Sequence, residues 1–247
     1  DYNGYNISCN GSNDGSVMLN LNGGPGTLTE DWLGYNPNAL YAGTYNYIIT
    51  DSNNCNYTDS IIITEPIPLS PSLNSINLSC YNSCDGEIYV QVSGGIAPYN
   101  YLWNNGIIND TIDNLCSGTY SVLITDQNYC IILDSMYISE PAEITIYVDS
   151  ITNASAYNSN DGAIYISTNG GVGGISYTWN GPLGFTSTNQ DILALLSGYY
   201  TITVSDSTNC YSEDTVFVNQ PPSLSVTLDS TINVSCFGSC DGELYIT

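Results

Sequence analysis

A short phrase recurs four times along the chain and sets the size of the unit that must fold. The four copies are SCNGSNDGS at 8–16, SCYNSCDGE at 79–87, SAYNSNDGA at 155–163 and SCFGSCDGE at 235–243. This spacing gives repeats of about 70–80 residues, which is the length of a small domain. The chain is therefore a tandem array of small domains.

Other landmarks follow each phrase. A tryptophan lies at one constant distance beyond the aspartate of the phrase in each complete copy: Asp14 to Trp32, Asp85 to Trp103 and Asp161 to Trp179. Only the interval from this tryptophan to a downstream glycine varies appreciably, and it lengthens from each repeat to the next: Trp32 to Gly43, Trp103 to Gly118 and Trp179 to Gly198. The landmarks divide the chain into repeat 1 at 1–66, repeat 2 at 67–141, repeat 3 at 142–221 and the start of a fourth repeat at 222–247.

Alternating apolar and polar residues predict β-strands in every repeat. SVMLNLN, EIYVQVS and AIYISTN lie at the end of the phrase or just after it, and GTYNYIITD, GTYSVLITD and GYYTITVSD lie further on. No window has the helical periodicity of apolar residues. About six or seven short strands per repeat predict an all-β fold of tandem immunoglobulin-like antiparallel β-sandwiches, which we expect to form an elongated rod.

Aromatic residues at fixed positions predict the core of each sandwich. An immunoglobulin-like sandwich buries a tryptophan on its third strand and opens a late strand with a tyrosine corner, whose hydroxyl bonds to the backbone upstream. The alternative for the tyrosines is an ordinary position on a strand. The predicted core residues are Trp32, Trp103, Trp179, Tyr45, Tyr120 and Tyr200.

The charge of the chain limits its partners and its chemistry. It has 24 Asp and Glu residues and no Lys, Arg or His. Phosphate binding needs cationic side chains, so we expect no nucleic-acid partner and no binding to anionic membranes. A catalytic site would lack an imidazole base and a lysine nucleophile. The adjacent acids Glu30 and Asp31 have no counterpart in repeats 2 and 3, so we predict a non-catalytic chain.

Nine cysteines in so acidic a chain favour an oxidising, extracellular location, and no apolar run is long enough for direct membrane insertion. Repeats 1 and 2 each have one cysteine in the phrase and one late in the repeat, which predicts the disulfides Cys9–Cys55 and Cys80–Cys130. Cys84 and Cys116 occur together in repeat 2 and are both absent from repeats 1 and 3. Their joint presence predicts the disulfide Cys84–Cys116.

Three cysteines remain without a partner in this scheme: Cys210, Cys236 and Cys240. Ala156 stands where repeat 3 would need the partner of Cys210. Cys210 is then either a buried free thiol, which packs as a small hydrophobe, or a cross-link to another chain. The other two cysteines belong to the partial fourth repeat and are expected to find partners beyond residue 247.

The joint pattern of these residues resembles the SprB-type repeat. The pattern is C-x4-DG, then GG, PY-x-Y-x-W, L-x-x-GTY-x-V-x-x-TD-x-x-x-C and EP, and repeat 2 matches it best, from Cys80 to Pro141. Repeat 1 has GPGTLTEDW in place of the PY-x-Y-x-W strand, and repeat 3 has Ala156 in place of the first cysteine. SprB-type repeats occur in large surface proteins of gliding and related Bacteroidota.

The resemblance implies a function at the cell surface. It implies a non-catalytic stalk segment of a large secreted adhesin or of a gliding-motility or attachment filament, exported by the type IX secretion route. The expected partners are neighbouring repeats of the same chain, and also surface polysaccharide or other copies of the filament. Two alternatives stay open: a carbohydrate-binding accessory array of a secreted hydrolase, which needs exposed tryptophans, and a self-assembling extracellular fibre.

Calcium is the one cofactor for which the sequence offers ligands. Asp51, Asp126 and Asp206 recur at one position of the three repeats and supply hard oxygen atoms. Aspartate in such a place is equally good turn chemistry, so we otherwise expect no cofactor and no metal. The loops of variable length, at 33–42, 104–117 and 180–197, are candidates for ligand contact, and we expect Phe185 to be exposed in the third.

Aspartate followed by Ser or Thr recurs along the chain, usually with an apolar residue or Thr next. This triplet resembles the O-glycosylation sequon of Bacteroidota. The alternative is that Ser and Thr are abundant here and that repeats copy one another. The candidate sites are Ser60, Thr111, Ser135, Ser150, Thr215 and Ser230.

Overall fold

The computed structural model of the chain describes residues 2–247 and shows an all-β protein built from antiparallel sheets. Within these residues the one helical segment is a 3₁₀ turn at Pro182–Gly184. The chain divides into two compact units, one that ends at Glu140 and one that begins at Pro141. Every sheet is formed by strands of a single repeat.

Repeat 1 has one three-stranded sheet in the order β1-β2-β3. Its strands are β1 (Thr29–Asp31), β2 (Gly43–Thr50) and β3 (Asn56–Ile63). The strand predicted at SVMLNLN is wrong, because residues 16–22 form no ladder and are held only by an adjacent bridge between Gly15 and Leu40 and by a bond from the Val17 N–H to the Pro37 carbonyl. The physical reason is that this segment has no partner strand on its other side among residues 2–247.

Repeat 2 is a six-stranded sandwich of two sheets, ordered β4-β5-β7 and β6-β8-β9. The predicted strands EIYVQVS and GTYSVLITD correspond to β5 and β8. The six strands are β4 (Ser70–Ile76), β5 (Gly86–Ser93), β6 (Asn100–Trp103), β7 (Thr111–Leu115), β8 (Gly118–Thr125) and β9 (Ile131–Ile138).

Repeat 3 has the same plan with one short extra strand, and its sheets are ordered β10-β11-β14 and β13-β12-β15-β16. The partial fourth repeat forms a two-stranded hairpin. The strands of these two segments are β10 (Thr145–Thr152), β11 (Gly162–Asn169), β12 (Ser176–Asn180), β13 (Thr186–Ser187), β14 (Ile192–Leu195), β15 (Gly198–Ser205), β16 (Tyr211–Val218), β17 (Leu228–Ile232) and β18 (Glu243–Ile246).

The tryptophans lie in the cores as predicted: Trp32, Trp103 and Trp179 are 5%, 2% and 0% exposed. Tyr45 and Tyr200 are also buried, whereas Tyr120 is half-buried at the edge of the core of repeat 2. Each of these tyrosines donates its hydroxyl to the carbonyl four residues upstream, as a tyrosine corner does. The acceptors are the carbonyls of Tyr41, Cys116 and Leu196, at 3.2, 3.1 and 2.9 Å.

Candidate functional site

The recurring phrase folds into one loop geometry in all four copies. Its aspartate accepts the backbone N–H of the serine six residues earlier, which closes the loop. The Ser–Asp pairs are Ser8 and Asp14 at 3.1 Å, Ser79 and Asp85 at 3.0 Å, Ser155 and Asp161 at 2.9 Å, and Ser235 and Asp241 at 3.0 Å. The aspartate of the phrase is therefore needed to shape the loop that carries the first cysteine.

Serine hydroxyls add to this closure in repeats 2 and 3. The hydroxyl of Ser79, and to a smaller extent that of Ser83, lowers the pKa of Asp85 to about 2, because both hydroxyls donate to the carboxylate. The hydroxyls of Ser155 and then Ser159 lower the pKa of Asp161 to about 2 in the same way. Both carboxylates are thus held in the charged form that the loop requires.

The loop is tied to the far end of its own repeat. In repeat 1 the Gly11 N–H donates to Glu65 Oε2 at 2.7 Å, and the Asn10 side chain donates to the Pro66 carbonyl at 3.1 Å. Repeats 2 and 3 make the equivalent bond, from Asn82 to Glu140 at 3.0 Å and from Asn158 to Gln220 at 2.9 Å. The acidic or amide residue before the last proline therefore positions the first cysteine where one repeat ends and the next begins.

A second recurring turn holds the late cysteine. In repeat 2 Asp126 is 1% exposed, and its Oδ1 accepts the N–H groups of Asn128 and Cys130, both at 2.9 Å. Its Oδ2 accepts the Ile96 N–H, also at 2.9 Å. A Cβ on Gly95 would lie 2.9 Å from that oxygen, so the Gly-Gly pair of the sequence is needed for close approach to the carboxylate.

The corresponding aspartates of repeats 1 and 3 hold the late cysteine through the same pair of N–H groups. Asp51 Oδ1 accepts the N–H groups of Asn53 and Cys55, and Asp206 accepts those of Thr208 and Cys210 through Oδ1. These carboxylates, which the sequence offered as calcium ligands, are occupied in the turns. Within residues 2–247 no group of three or more His, Cys, Asp or Glu side chains is placed to hold a metal ion.

The two turns meet across the junction of repeats 1 and 2, where Cys9 and Cys130 form a disulfide with an S–S distance of 2.03 Å and a Cα–Cα distance of 5.6 Å. The predicted disulfide Cys9–Cys55 is therefore wrong. Cys9 follows Asn6, which bonds to Thr64 just beyond the end of β3, whereas Cys55 immediately precedes the start of that strand. The length of β3 separates the two cysteines by roughly 25 Å, far beyond the reach of a disulfide.

The predicted disulfide Cys80–Cys130 fails for the same reason, because β9 lies between those two cysteines and Cys130 is bonded to Cys9. Cys80 and Cys210 are each disulfide-bonded, which corrects the expectation that Cys210 is unpaired. The predicted disulfide Cys84–Cys116 is confirmed. The free cysteines of the described residues, all exposed, are Cys55, Cys236 and Cys240.

Polar contacts surround the disulfide at the junction. The Asn128 side chain of repeat 2 donates to the Ser8 carbonyl of repeat 1 at 3.1 Å and accepts from the Asn3 side chain at 2.8 Å. Sequence analysis did not single out Asn3 or Asn128, because the spacing within a repeat does not show which side chains face the preceding repeat. The junction is thus held by one covalent bond and by hydrogen bonds on either side of it.

The variable loops of repeats 2 and 3 supply hydrogen-bond acceptors to the buried tryptophans. Trp103 Nε1 donates to the Asn109 carbonyl at 2.9 Å, and Trp179 Nε1 donates to the Asn189 carbonyl at 3.1 Å. Phe185, expected to be exposed, is half-buried because its ring packs edge-on against Tyr200 at a centroid distance of 5.3 Å. The acids Glu30 and Asp31 lie exposed on neighbouring positions of β1, whose side chains point to opposite faces.

The candidate glycosylation residues lie at the surface. All six are exposed, and three of them occupy one position on the last strand of a repeat: Ser60 on β3, Ser135 on β9 and Thr215 on β16. Their N–H groups donate to the preceding aspartates, at 2.8, 2.8 and 2.7 Å. The three side chains are therefore open to solvent, and the Thr215 hydroxyl also lies 3.3 Å from the Thr201 hydroxyl.

Comparison with known proteins gives a family for part of the chain. Residues 72–106, which run from β4 to just beyond Trp103, match the family model described as SprB repeat. No curated protein matches the chain in sequence. Over residues 2–247 the structure has no helix with the length and hydropathy needed to cross a membrane.

The solved structures that match the chain include immunoglobulin-type arrays and a phage capsid protein. The Down syndrome cell adhesion molecule, N-terminal eight Ig domains, is 11% identical with a TM-score of 0.40, covering 80% of this chain and 33% of its own. The bacteriophage RB49 outer capsid protein Hoc is 13% identical with a TM-score of 0.38, covering 87% and 93%. Sidekick-1 domains 1–4 are 14% identical with a TM-score of 0.32, covering 79% and 68%.

The chain spans a third of the length of the first of these proteins. All three TM-scores lie below 0.5, so the fold assignment rests on the antiparallel sheets, the buried tryptophans and the tyrosine corners described above. The repeat pattern, the immunoglobulin-like sandwich and the family match agree on a repeat region of the cell-surface adhesin type. The chain carries a SprB-type repeat.

Proposed function

We propose that this chain is a non-catalytic stalk segment of a large secreted surface adhesin or of an attachment or motility filament. The observation that carries the proposal is the disulfide between Cys9 and Cys130, which joins one repeat to the next. A covalent bond across a junction transmits tension from repeat to repeat and limits bending there. A stalk needs both properties, and an isolated binding module needs neither.

The burial of the tryptophans supports a stalk over a carbohydrate-binding array. A sugar platform needs aromatic faces open to solvent, and the three tryptophans are at most 5% exposed. Tandem domains of this size stack into a quasi-one-dimensional array in which each repeat contacts its neighbours. We propose that the array extends as a rod outside the cell, where disulfides persist.

The test is the extension of single molecules pulled from their two ends. Because Cys80 and Cys210 also lie in disulfides, both are replaced by serine in the background variant. The bond between Cys9 and Cys130, which are separated by 121 positions in sequence, then shields the segment between them from the applied force. Cys9→Ser/Cys130→Ser is expected to add roughly 300 Å of extension, because Cys84–Cys116 still hides its own loop of 32 residues.

The matched control is Cys84→Ser/Cys116→Ser in the same background. This disulfide lies inside the loop closed by Cys9 and Cys130, so its removal is expected to leave the extension unchanged. Full extension of repeats 1 and 2 in the background protein, which keeps both Cys9 and Cys130, would overturn the proposal, because the junction would then carry no covalent bond.

We also propose that Ser60, Ser135 and Thr215 carry O-linked sugar in the native protein. Support comes from their exposure and from their shared position on the last strand of three repeats. Glycopeptide mass spectrometry of protein from its natural source is expected to show added hexose at these residues. The bare peptide mass at all three would refute this part of the proposal.

A further inference from the structure

The outward face of one sheet of repeat 2 carries a row of three leucines. Leu102 of β6 lies opposite Leu123 of β8, and Leu123 lies opposite Leu133 of β9, so the row crosses the whole sheet. The adjacent residues Trp103 and Val122 are buried, and successive residues of a strand point to opposite faces, so the leucines point to solvent. Leu102 and Leu133 are 51% and 68% exposed. The row therefore lies outside the hydrophobic core of repeat 2.

The same row is largely polar in the other two repeats. It contains one apolar residue among six: Asp31, Ile48 and Thr58 in repeat 1, and Thr178, Thr203 and Glu213 in repeat 3. In repeat 3 the Thr203 hydroxyl donates to Glu213 at 2.8 Å, so a hydrogen bond links two strands where repeat 2 has two leucines. Repeat 3 forms the same sandwich without the leucines, so the fold does not require them.

Further apolar side chains extend the row along β9. Ile131 and Tyr137 point to the same face as Leu133 and are 67% and 58% exposed. The other outward positions of the three strands hold neutral polar residues: Asn100, Thr119, Ser121, Thr125 and Ser135. Asp134 is the one acid of these strands, and it points to the opposite face. The outward face of β6, β8 and β9 therefore carries no charge.

The lack of charge on this face indicates a second copy of the chain as its partner. The chain has 24 Asp and Glu residues and no basic side chain, so two copies repel each other over most of their surfaces. On this face two copies meet without opposing carboxylates. A basic partner finds no carboxylate here with which to pair.

We propose that the outward faces of β6, β8 and β9 from two copies of the chain pack against each other in a dimer with two-fold symmetry. Such a contact is isologous and closed, because both copies use the same surface. Leu123 is the centre of the row, so a two-fold axis along the row or across it brings Leu123 against Leu123 of the second copy. The contact does not depend on the proposed stalk function, because it needs only two copies in solution.

The area of the face sets the strength of the contact. Three strands of up to eight residues span a face of roughly 15 by 25 Å. This is less than half of the roughly 800 Å² per partner that complexes of standard size bury, so we expect a weak dimer that forms at high protein concentration. Repulsion between the acidic surfaces around the face opposes it. The screening length falls from about 10 Å at 0.1 M salt to about 3 Å at 1 M, so the dimer is expected to tighten as salt is raised.

Ser135 lies on the same face, two residues beyond Leu133 on β9. Sugar at Ser135, which we propose for the native protein, covers the row, so the dimer belongs to chains that are bare at this serine. Ser60 and Thr215 lie on β3 and β16 of the other repeats, and sugar there leaves the face open. The protein for the test is therefore made in a host that adds no sugar.

Replacing the row of repeat 2 by that of repeat 3 tests the contact. Thiol links between copies are first prevented by replacing the free cysteines with serine: Cys55, Cys236 and Cys240. In analytical ultracentrifugation at about 1 M salt, this background protein is expected to approach twice the mass of one chain as its concentration is raised. Leu102→Thr/Leu123→Thr/Leu133→Glu in the same background is expected to stay monomeric.

The matched control is Ile62→Thr. Ile62 is an exposed residue on β3 of repeat 1, so this change removes an apolar side chain from the outward face of another sheet. It is expected to leave the dimer unchanged. An unchanged near-ultraviolet circular dichroism spectrum and an intact Cys84–Cys116 bond show that the row variant has left repeat 2 folded.

A pair of opposite charges tests whether the two faces meet each other. Leu123→Asp and Leu123→Lys are each expected to be monomeric, because like charges then meet at the centre of the contact. Their equimolar mixture is expected to form a heterodimer, since the aspartate of one copy meets the lysine of the other. A monomeric background protein, a row variant that still dimerises, an equal loss of dimer in Ile62→Thr, or a mixture without heterodimer would overturn the proposal.

Discussion

Repeats 1 and 2 lie in the same compact unit and have the same kinds of turn, but their cores differ in size and in hydrogen bonding. Nine buried residues form the core of repeat 2, and five form that of repeat 1. Trp103 in repeat 2 donates its indole N–H to Asn109, whereas Trp32 in repeat 1 has a buried indole N–H without an acceptor. The loop from Trp32 to Gly43 is shorter than the loop from Trp103 to Gly118. The shorter loop of repeat 1 supplies no carbonyl to its tryptophan.

The difference shows what the disulfide at the junction does. The turns of repeat 1 are formed by Asp14, Asp51 and Glu65, whose backbone bonds match those of repeat 2 with one exception: Pro25, which has no N–H, stands where Ile96 donates to Asp126. Its buried core is smaller, and within residues 2–247 the segment 16–22 pairs with no strand. We therefore expect the bond from Cys9 to Cys130 to anchor the repeat with the smaller core to its neighbour and to stabilise it.

Removing this bond is expected to have the largest effect on the comparison. In the chain-entropy model a disulfide that closes a loop of 121 residues stabilises the folded state by about 5 kcal/mol. In the variant Cys9→Ser/Cys130→Ser, the backbone amides of β2 and β3 in repeat 1 should exchange with solvent much faster than those of β8 in repeat 2. The control is Cys55→Ser, which alters the equivalent turn of repeat 1 but breaks no bond. Equal protection of both repeats in the double variant would contradict the anchoring role.

Two matched substitutions of tryptophan sharpen the comparison. Trp103→Phe leaves the Asn109 carbonyl without its donor, which costs about 1–3 kcal/mol beyond the loss of ring volume. Trp32→Phe removes the same ring volume together with a donor that has no acceptor. We therefore expect Trp103→Phe to lower the free energy of unfolding, measured in urea, more than Trp32→Phe does. The reverse order would show that Trp32 has a partner in solution.

The late turns of the repeats offer a stabilising change. Tyr129 in repeat 2 has a φ of 66°, and Asn54 and Asn209 have φ values of 61° and 66° at the same position. Asparagine tolerates this left-handed conformation better than a bulky aromatic residue does. Because Tyr129 is also 86% exposed, Tyr129→Asn should stabilise repeat 2 against thermal unfolding by about 1 kcal/mol. Tyr211→Asn is the control, since this exposed tyrosine lies on a strand. Equal effects of the two changes on stability would contradict the conformational argument.

The smallest expected effect is a pH dependence of repeat 2. Hydrogen bonds from Ser79 and Ser83 lower the pKa of Asp85 to about 2, below the value of about 3.9 in an unfolded chain. A lowered pKa in the folded state gives stability that is complete above about pH 4 and is lost as the pH falls from about 4 to about 2. Asp85→Asn should therefore destabilise repeat 2 at pH 6 and have little effect at pH 2. A difference in the free energy of unfolding between the unchanged protein and Asp85→Asn that stays constant from pH 6 to pH 2 would refute the assignment.

The sequence predicted the parts of the fold that are local to one repeat. The tyrosine corners follow from Leu-x-x-Gly-x-Tyr, and Cys84–Cys116 follows from two cysteines that appear and disappear together. Cys9–Cys130 could not be found in this way, because repeats 1 and 2 each contain both kinds of cysteine. Pairing within a repeat and pairing between repeats therefore fit the same spacing.

The sequence did not show at which end of the last strand of its repeat each cysteine lies. Cys130 precedes β9 and faces the preceding repeat, whereas Cys9 is held just beyond the end of β3 and faces the following repeat. Ala156 was a usable signal. Where repeat 3 lacks the first cysteine it still keeps the late one, and this is easier to explain if the two are not partners.

The identity of the partner of Cys9 tests the account most directly. Trypsin has no cleavage site in a chain without Lys or Arg, so the alkylated, non-reduced protein is digested with pepsin and with a protease that cuts at aspartate. Mass spectrometry is expected to show the peptide with Cys9 linked to the peptide with Cys130, and Cys55 alkylated. A peptide that links Cys9 to Cys55 would place the bond inside one repeat and contradict the covalent junction.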